Sequence, residues 1–296
     1  MHIRFKLPGT LVLLRSSKPN MRKLTTILLL LALGTAARAQ YYYQDVYNTA
    51  QTAATMALFK TNKVSFQHVK TLDANQETDN DFICIRGTNA TFRQLRAVTQ
   101  SSVSGKSVLT STFSASGRLT RTVDSTLNNI STMQYQYTPE GALAEIQAGS
   151  RGTEDKFRTS EKRRFVYDST GRLAQLVIKK EGLDSSIVVF KTDTSGRVTE
   201  EAAPGRQRVY YNYDAQGRLT DVLRYHPSRK RMLPDYNFEY DGSGRLAQMT
   251  VVNIETGDYL VWKYSYDEKG LPAREDCYGK GKELLGMVRY TYEFFQ

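Results

Sequence analysis

The chain has 296 residues, of which 40% are apolar, 11% aromatic and 24% charged, so its composition excludes a disordered protein and provides for at least one large core. Three histidines and two cysteines argue against a multi-metal enzyme or a disulfide-dense mini-domain. Forty-one Lys and Arg against 30 Asp and Glu give a formal charge of +11, which suggests nucleic acid or an anionic membrane as a partner.

Most of the excess charge lies at the N-terminus. Residues 1–39 carry seven Lys and Arg and no acidic residue, so residues 40–296 hold 34 basic and 30 acidic residues, a net charge of +4. This remainder is too small to indicate a phosphate-binding surface, and we therefore predict no nucleic-acid partner.

The N-terminal segment has the three parts of a secretory signal peptide. Residues 21–23 form a basic head, residues 24–33 are apolar, and residues 37–39 read Ala-Arg-Ala, which suits signal peptidase. The apolar run is half the length of about 20 residues that a membrane-spanning helix needs, so we predict cleavage before Gln40 and no anchor. We interpret residues 1–20 as an upstream overrun and residues 21–39 as the signal peptide. The protein is therefore expected to be exported, to the periplasm or beyond the cell.

Residues 40–107 precede any repeat and are predicted to form a small N-terminal α/β cap. Residues 45–59 have apolar positions at roughly helical spacing, which predicts one helix. Residues 64–72 and 81–86 read as strands with a polar loop between them. Because repeat arrays need atypical ends that cover the terminal core, we interpret this segment as a cap or as the first hairpin of the sheet.

Residues 108–296 are dominated by one repeat. Its copies align on seven glycines with a mean spacing of 25.5 residues, a period typical of repeat arrays: Gly117, Gly141, Gly171, Gly196, Gly217, Gly244 and Gly270. Aromatic residues stand four residues before the glycine in six copies and six residues before it in six copies. This period of two predicts strands with one aromatic face.

The sequence Asp-x-x-Gly-Arg at these glycines predicts a type I turn closed by a bulge. The Asp side chain caps the turn amides, the Gly supplies a positive φ, and the Arg lies opposite the Asp across the hairpin. We therefore assign turn-forming roles to the residues of the three clearest copies: Asp168, Gly171, Arg172, Asp214, Gly217, Arg218, Asp241, Gly244 and Arg245.

Seven hairpins and a terminal strand make about 15 antiparallel strands. Open sheets rarely exceed about ten strands without curling, so the expected fold is all-β: one strongly twisted, curled sheet, either spiralling or closing on itself, behind the N-terminal cap. After Leu173, Leu219 and Leu246 the apolar residues fall on both strand faces, which either bulges or a sheet covered on both sides would produce.

The Tyr-Asp-x-x-Gly-Arg-Leu core at residues 167–173, 213–219 and 240–246 resembles the YD-repeat family, also called Rhs repeats. The copies at Gly117, Gly141, Gly196 and Gly270 are degenerate. The resemblance implies a β-sheet scaffold of the kind found in toxin-enclosing shells, cell-surface proteins and carbohydrate-binding ectodomains. Because the chain ends one strand after the last repeat, we do not expect it to enclose a toxin domain.

The sequence carries no recognisable catalytic constellation. Phosphate-binding, dinucleotide, zinc-protease and nucleophile-elbow motifs are missing, and His68 and His226 lack metal-ligand neighbours in the sequence. The repeated Asp residues are explained by turn capping, although paired carboxylates also serve glycosidases. We therefore predict a non-enzymatic protein without catalytic residues, metal or cofactor.

The aromatic stripe permits two readings. Packing in the core is the simpler one, and a sugar- or peptide-binding surface is the other, for which we select Trp262, Tyr264, Tyr210 and Tyr259 as candidate ligand-binding residues. Cys84 and Cys277 either pair as a disulfide in an oxidising compartment or remain buried thiols.

The expected function is a structural or binding module of the bacterial envelope or secretome, with a glycan, a peptide or an envelope protein as partner. An accessory or hydrolytic enzyme of polysaccharide metabolism is the alternative. An outer-membrane barrel is the lesser one, since Tyr290, Tyr292 and Phe294 alternate near the C-terminus as the last strands of such barrels do.

Overall fold

The structure is a computed structural model that describes residues 3–7, 10–14, 40–153, 157–254 and 256–296. The predicted signal peptide, residues 21–39, lies outside the described residues. Strands β1 (Ile3–Leu7) and β2 (Thr10–Leu14) form an antiparallel pair separate from the main sheet.

The remaining strands form one closed antiparallel barrel in which each strand pairs with its neighbours in the chain. They are β3 (Val64–Asp73), β4 (Ile83–Thr88), β5 (Gln94–Ser101), β6 (Gly105–Phe113), β7 (Leu119–Thr126), β8 (Asn129–Tyr137), β9 (Leu143–Gly152), β10 (Arg158–Tyr167), β11 (Leu173–Lys180), β12 (Ser186–Thr192), β13 (Val198–Ala202), β14 (Val209–Tyr213), β15 (Leu219–His226), β16 (Arg231–Tyr240), β17 (Leu246–Asn253), β18 (Asp258–Tyr266), β19 (Pro272–Tyr278) and β20 (Leu284–Phe294). A short 3₁₀ turn, Pro227–Arg229, joins β15 to β16.

The expected curled sheet of about 15 strands with a cap is wrong, because the structure is a closed barrel of 18 strands. The repeat region supplies 15 of them, β6 to β20, and the segment expected to form the cap supplies β3 to β5. Closure occurs where β20 pairs with β3, from Gly286 opposite Asp73 to Phe294 opposite Val64. This pairing satisfies the backbone groups of both sheet edges, which an open sheet would leave exposed.

The N-terminal helical segment lies inside the barrel. It consists of a π-helical stretch, Tyr42–Tyr47, followed by α1 (Asn48–Thr61), and the two together cover the predicted helix, residues 45–59. The ring of Tyr43 packs at a tilt against Tyr236 of β16, Asp45 binds Arg163 of β10, and Phe59 packs edge-on against Tyr292 of β20. Since these strands lie on different sides of the barrel, the helical segment fills its lumen and does not cap an end.

The barrel has two different ends. The Asp-turn end carries the turns 114–118, 138–142, 168–172, 193–197, 214–218, 241–245 and 267–271. The variable end carries connections of differing length, among them 102–104, 127–128, 181–185 and 203–208. The helical segment leaves the lumen at the Asp-turn end, where the side-chain amide of Asn62 donates to the carbonyl of Lys269.

The lumen near the Asp-turn end is a packed core. The aromatic residues six positions before each repeat glycine point inward, and five of them are buried: Tyr135, Phe165, Phe190, Tyr211 and Phe238. Beside them lie the leucines that follow the turns, such as Leu173 and Leu219. A bulge in the returning strand shifts the register by one residue, as between Val166 and Tyr167, which explains the apolar residues on both phases.

Candidate binding site

The aspartates predicted to form turns lie within the turns and bind their backbone. One carboxylate oxygen of Asp214 accepts the backbone N–H groups of Gln216 at 3.0 Å and Arg218 at 2.9 Å. Asp168 and Asp241 make the equivalent pairs of bonds to the residues two and four positions on. Gly171, Gly217 and Gly244 have φ near +79°, a conformation that other residues adopt at a cost. The repeated carboxylates are thus engaged in structure.

The repeat arginines connect one hairpin to the next. Arg218 binds Asp214 of its own turn at 2.6 Å and stacks over Tyr240 of the following repeat, 4.5 Å from the ring centroid. Arg245 does the same with Asp241 and Tyr266. Arg172 differs because the next repeat has Thr192 in place of tyrosine, and its guanidinium donates to the carbonyl of Thr194.

The tyrosines before the turns tie neighbouring repeats together. Each donates its hydroxyl to a backbone carbonyl of the preceding repeat, at 2.7–2.9 Å: Tyr137 to Leu119, Tyr167 to Leu143, Tyr213 to Val198, Tyr240 to Leu219, Tyr266 to Leu246 and Tyr292 to Pro272. Burial raises the pKa of Tyr167 and of Tyr266 to about 12, so these hydroxyls remain donors at neutral pH. The tyrosine of the motif thus has a structural role, because its hydroxyl hydrogen-bonds one repeat to the next.

The structure divides the four candidate ligand-binding aromatics. Trp262 and Tyr264 point into the lumen from β18, and Trp262 is buried opposite Met249. Tyr210 of β14 and Tyr259 of β18 lie on the outer face, where both are partly exposed. Ligand access from outside is therefore open to Tyr210 and Tyr259.

Tyr210 belongs to a larger apolar surface on β14, β15 and β16. It lies opposite Leu223, which lies opposite Pro234, and in the next outward row Tyr225 lies opposite Met232. We call these five residues the outer tyrosine patch. Tyr225 and Met232 are 45% and 39% exposed, which is unusual for large apolar side chains on adjacent strands.

A row of polar side chains borders the outer tyrosine patch toward the Asp-turn end. Asn212, Asp221 and Asn237 lie directly opposite one another on the same three strands. The amide of Asn237 donates to one Asp221 oxygen at 2.9 Å, and the hydroxyl of Thr220 donates to the other at 2.9 Å. Rows are about 7 Å apart along a strand and strands about 4.8 Å apart, so patch and polar row together cover the area of one or two sugar rings.

The carboxylate beside the patch is held in its charged form. Glu200 of β13 lies opposite Tyr210 and binds Lys191 at 2.8 Å and the guanidinium of Arg208. Burial acts to raise the pKa of Glu200, but the bonds from Lys191 and Arg208 outweigh it, and the pKa lies below its usual value. Glu200 is therefore poorly suited to donate a proton to a ligand.

The lumen holds a second group of polar contacts, around the start of the helical segment. Arg163 binds Asp45 at 2.7 Å and Glu161, while Arg224 binds Asp235 through a carboxylate oxygen at 2.6 Å. Glu201 accepts the backbone N–H groups of Tyr41 and Tyr42 and the hydroxyl of Tyr211. Burial raises the pKa of Glu201 and of Asp235. This group fixes the helical segment to three sides of the barrel.

Of the two alternatives for Cys84 and Cys277, the structure has the separate thiols. Cys84 and Cys277 are both buried free thiols, on β4 and β19. Two strands, β20 and β3, separate them in the barrel, a gap of about 14 Å at the usual strand spacing, whereas bonded cysteines need Cα atoms within about 7 Å. Burial raises the pKa of the Cys277 thiol to about 12, so it is unreactive at neutral pH.

Within the described ranges, no group of three or more His, Cys, Asp or Glu residues is placed to hold a metal ion. Among the same residues, no helix is both long enough and apolar enough to cross a membrane.

Comparisons with known proteins give weak similarities. No family model matches the chain. The double-stranded DNA deaminase toxin A of Burkholderia cenocepacia is 28% identical over 162 residues, 49% of this chain and 10% of the toxin, so the chain spans about a tenth of that relative. Two similar solved structures are the Photorhabdus luminescens Tc holotoxin pore (12% identity, 79% of this chain and 17% of that one, TM-score 0.29) and a porin-like protein of Bacteroides uniformis (11% identity, 78% and 97%, TM-score 0.32).

Sequence reasoning selected Tyr210 but not its neighbours. Tyr225, Asp221 and Asn237 join the site only through cross-strand register, which the hairpin turns define once each bulge is known. One pattern in the sequence could have indicated these neighbours. In the strand after Gly217, Asp221, Leu223 and Tyr225 alternate with inward residues and so share the outer face. The contacts that tie the helical segment to the barrel had no such signal, because Asp45 and Arg163, like Tyr41 and Glu201, lie more than 100 residues apart in the chain.

Proposed function

We propose that the protein is an exported, non-enzymatic binding module that holds a glycan on the outer face of β14–β16. The single observation that carries this proposal is the outer tyrosine patch beside the polar row of Asn212, Asp221 and Asn237. Aromatic faces bind the apolar faces of sugar rings, and carboxylate and amide groups bind their hydroxyls. A peptide, the other ligand considered, would gain less from the polar row because the backbone of these three strands is already paired.

The arrangement favours binding over hydrolysis. A glycosidase places two carboxyl groups about 5–10 Å apart, one of them able to donate a proton. Asp221 already accepts bonds from Asn237 and Thr220, and the neighbouring Glu200 is held in its charged form by Lys191 and Arg208. These carboxylates are suited to accept hydrogen bonds from a ligand.

The experiment is a glycan array with residues 40–296, followed by calorimetric titration of the sugars retained. We expect Tyr210→Ala and Tyr225→Ala each to weaken binding at least tenfold and Asp221→Asn to weaken it several-fold, with unchanged thermal unfolding. Tyr278→Ala, an outward tyrosine of β19 beyond the patch, is the matched control and should bind normally. Binding that depends on Tyr259 and not on Tyr210 would place the site elsewhere.

Product analysis tests the enzyme alternatives. Bound sugars, and double-stranded DNA because of the deaminase toxin relative, are incubated with the protein and examined for conversion. No conversion is expected, and turnover that survives repurification would replace the proposal with an enzymatic function.

Because the barrel is closed, an outer-membrane location is the second candidate. Lipid-facing strands carry an apolar band on their outer side. Here the outward positions in the middle of several strands are charged, among them Arg121, Lys162, Arg164, Lys263 and Arg274. We therefore expect release by osmotic shock without detergent, and recovery only in detergent would favour the membrane location.

A further inference from the structure

The residue that follows the predicted cleavage site is enclosed by the barrel. Gln40 is 5% exposed, and its side-chain amide donates to Asp235 of β16 at 2.7 Å. Its carbonyl accepts the backbone N–H of Gln44 at 2.8 Å and so begins the helical segment. Gln40 is therefore held at its side chain and at its backbone, inside the protein.

Glu201 stands beside this residue with an uncompensated charge. It is 0% exposed and binds the N–H groups of Tyr41 at 2.9 Å and Tyr42 at 3.0 Å, together with the Tyr211 hydroxyl at 2.9 Å. Within the described part of the chain these three donors are all neutral. A buried carboxylate normally has a cationic partner, and burial raises the pKa of Glu201 because it has none there.

The nearby guanidinium groups are used by other carboxylates. Arg163 is bound to Asp45 and Glu161, and Arg224 is bound to Asp235 by two oxygens at 2.6 Å. Arg206 donates to the Tyr41 hydroxyl at 2.9 Å. Among the described residues around the start of the helical segment, carboxylates therefore outnumber guanidinium groups, and Glu201 is the carboxylate bound to none of them.

The backbone nitrogen of Gln40 is close enough to supply the missing charge. Bond lengths place it within about 4 Å of the Tyr41 nitrogen, and hence within about 7 Å of the Glu201 oxygen that Tyr41 binds. As a peptide nitrogen it is neutral. As a chain terminus it would be an ammonium at neutral pH, in a low-dielectric site where an opposite charge at this range is strongly favourable.

We propose that signal peptidase hydrolyses the Ala39–Gln40 bond and that the α-ammonium so formed pairs with Glu201 inside the barrel, completing the fold. Water supplies the oxygen of the Ala39 carboxylate and the hydrogen of the Gln40 amine, which takes up a proton to become the ammonium. Removal of the leader thus creates a cation at the start of the helical segment, beside Glu201. The inference rests on the export proposed above and is independent of glycan binding.

The first test is the mass of the exported protein. We expect a chain that begins at Gln40 and retains its amide. Cyclisation of an exposed N-terminal glutamine would release ammonia, lower the mass by about 17 Da and destroy both the ammonium and the bond to Asp235. A start at any other residue, or a fully cyclised Gln40, would overturn the proposal.

The second test distinguishes the charge of the α-ammonium from the space that an added residue would occupy. Protein that begins at Gln40, released from a cleavable fusion, is compared with protein that carries one serine before Gln40, each with Glu201 and with Glu201→Gln. The added serine should raise the unfolding equilibrium constant at least tenfold when Glu201 is present and far less in E201Q, a coupling that a double-mutant cycle isolates. No effect of the serine, or an equal effect in both backgrounds, contradicts the ion pair.

Amine labelling covers the case in which E201Q does not fold. In the protein that begins at Gln40, the α-amine should react with an acylating reagent only after unfolding, while the exposed amine of Lys106 reacts at once. Rapid acylation of the α-amine in the folded protein would show that the terminus lies outside the barrel. The glycan-binding result does not affect either outcome, so the two proposals can fail separately.

Discussion

The two ends of the barrel differ in how much of their structure the sequence repeats. At the Asp-turn end, five of the seven turns bind their own aspartate, six tyrosine hydroxyls join neighbouring repeats, and the lumen is packed with aromatic side chains and the helical segment. At the variable end, the connections differ in length and expose single apolar residues such as Val103, Leu127 and Leu183.

The two ends therefore have different roles: the Asp-turn end contributes stability, and the variable end tolerates changes in sequence. Each repeat contributes the same few contacts at the Asp-turn end, so stability there accumulates along the array. Connections at the variable end make few such contacts and can change without cost to the core. Substitutions matched between the two ends should therefore have very different effects on the free energy of unfolding.

The largest effect is expected where the helical segment meets the barrel wall. Phe59→Ala removes a side chain that is 1% exposed and packs against Tyr292, and should lower the free energy of unfolding by about 3–5 kcal/mol. Leu127→Ala, at a position 83% exposed at the variable end, should change it by less than about 0.5 kcal/mol. Denaturant titration measures both, and equal losses would remove the distinction between the ends.

Substitution of a turn glycine at the Asp-turn end should have the next largest effect on the free energy of unfolding. Gly217 has φ +79°, so Gly217→Ala is expected to cost about 1–2 kcal/mol through backbone strain. Gly149→Ala in β9 is the control, because its added Cβ would make only an ordinary contact, 3.6 Å from the Thr159 carbonyl. Thermal unfolding of the two variants should show a loss for the first alone.

A single tyrosine hydrogen bond between repeats should contribute less to the free energy of unfolding. Tyr240→Phe removes the hydroxyl that donates to the Leu219 carbonyl at 2.7 Å but keeps the ring under Arg218, and should cost about 1 kcal/mol. Tyr225→Phe, which alters an exposed ring of the outer tyrosine patch, should leave the free energy of unfolding unchanged. A neutral Tyr240→Phe would mean that water replaces the lost bond.

Acid should weaken the Asp-turn end through its aspartates. The bond from the backbone N–H of Arg245 is the main cause that lowers the pKa of Asp241 below its usual value. A carboxyl with a lowered folded-state pKa stabilises fully above its unfolded pKa, near 4, and loses that contribution as pH falls through the folded-state pKa. Asp241→Asn should therefore flatten part of the fall in stability below pH 4. Ser114→Ala, at the same turn position in a copy without aspartate, should leave the acid profile as it is.

Local patterns predicted the hairpins well because hairpin contacts are close in the chain. Tyr167 lies opposite Leu173, and Tyr213 opposite Leu219, across the turns that the Asp-x-x-Gly-Arg sequence predicted. Arg218 binds Asp214 as expected for partners that flank a turn. The further role of these arginines, stacking on the tyrosine of the next repeat, depends on the lateral register between hairpins and was not predicted.

Long-range contacts account for what was missed. Closure pairs β20 with β3 across more than 200 residues, and nothing in either strand distinguishes a barrel from a curled sheet until their edges meet. The strands of the expected cap resemble any half-buried strands, so only their pairing with β20 and β6 makes them part of the barrel wall. The helical segment was predicted as a helix but not as the content of the lumen.

The sequence by itself determined the order of strands and turns in residues 108–296 and the helix near residue 50, because each depends on spacing over a few residues. Only the tertiary structure decided that the sheet closes, that the helix lies within it, and that Tyr210 joins Tyr225 and Asp221 on one outer surface. These features depend on which distant strands become neighbours, and the balance of edge pairing, burial and charge that selects them exists only in the folded chain.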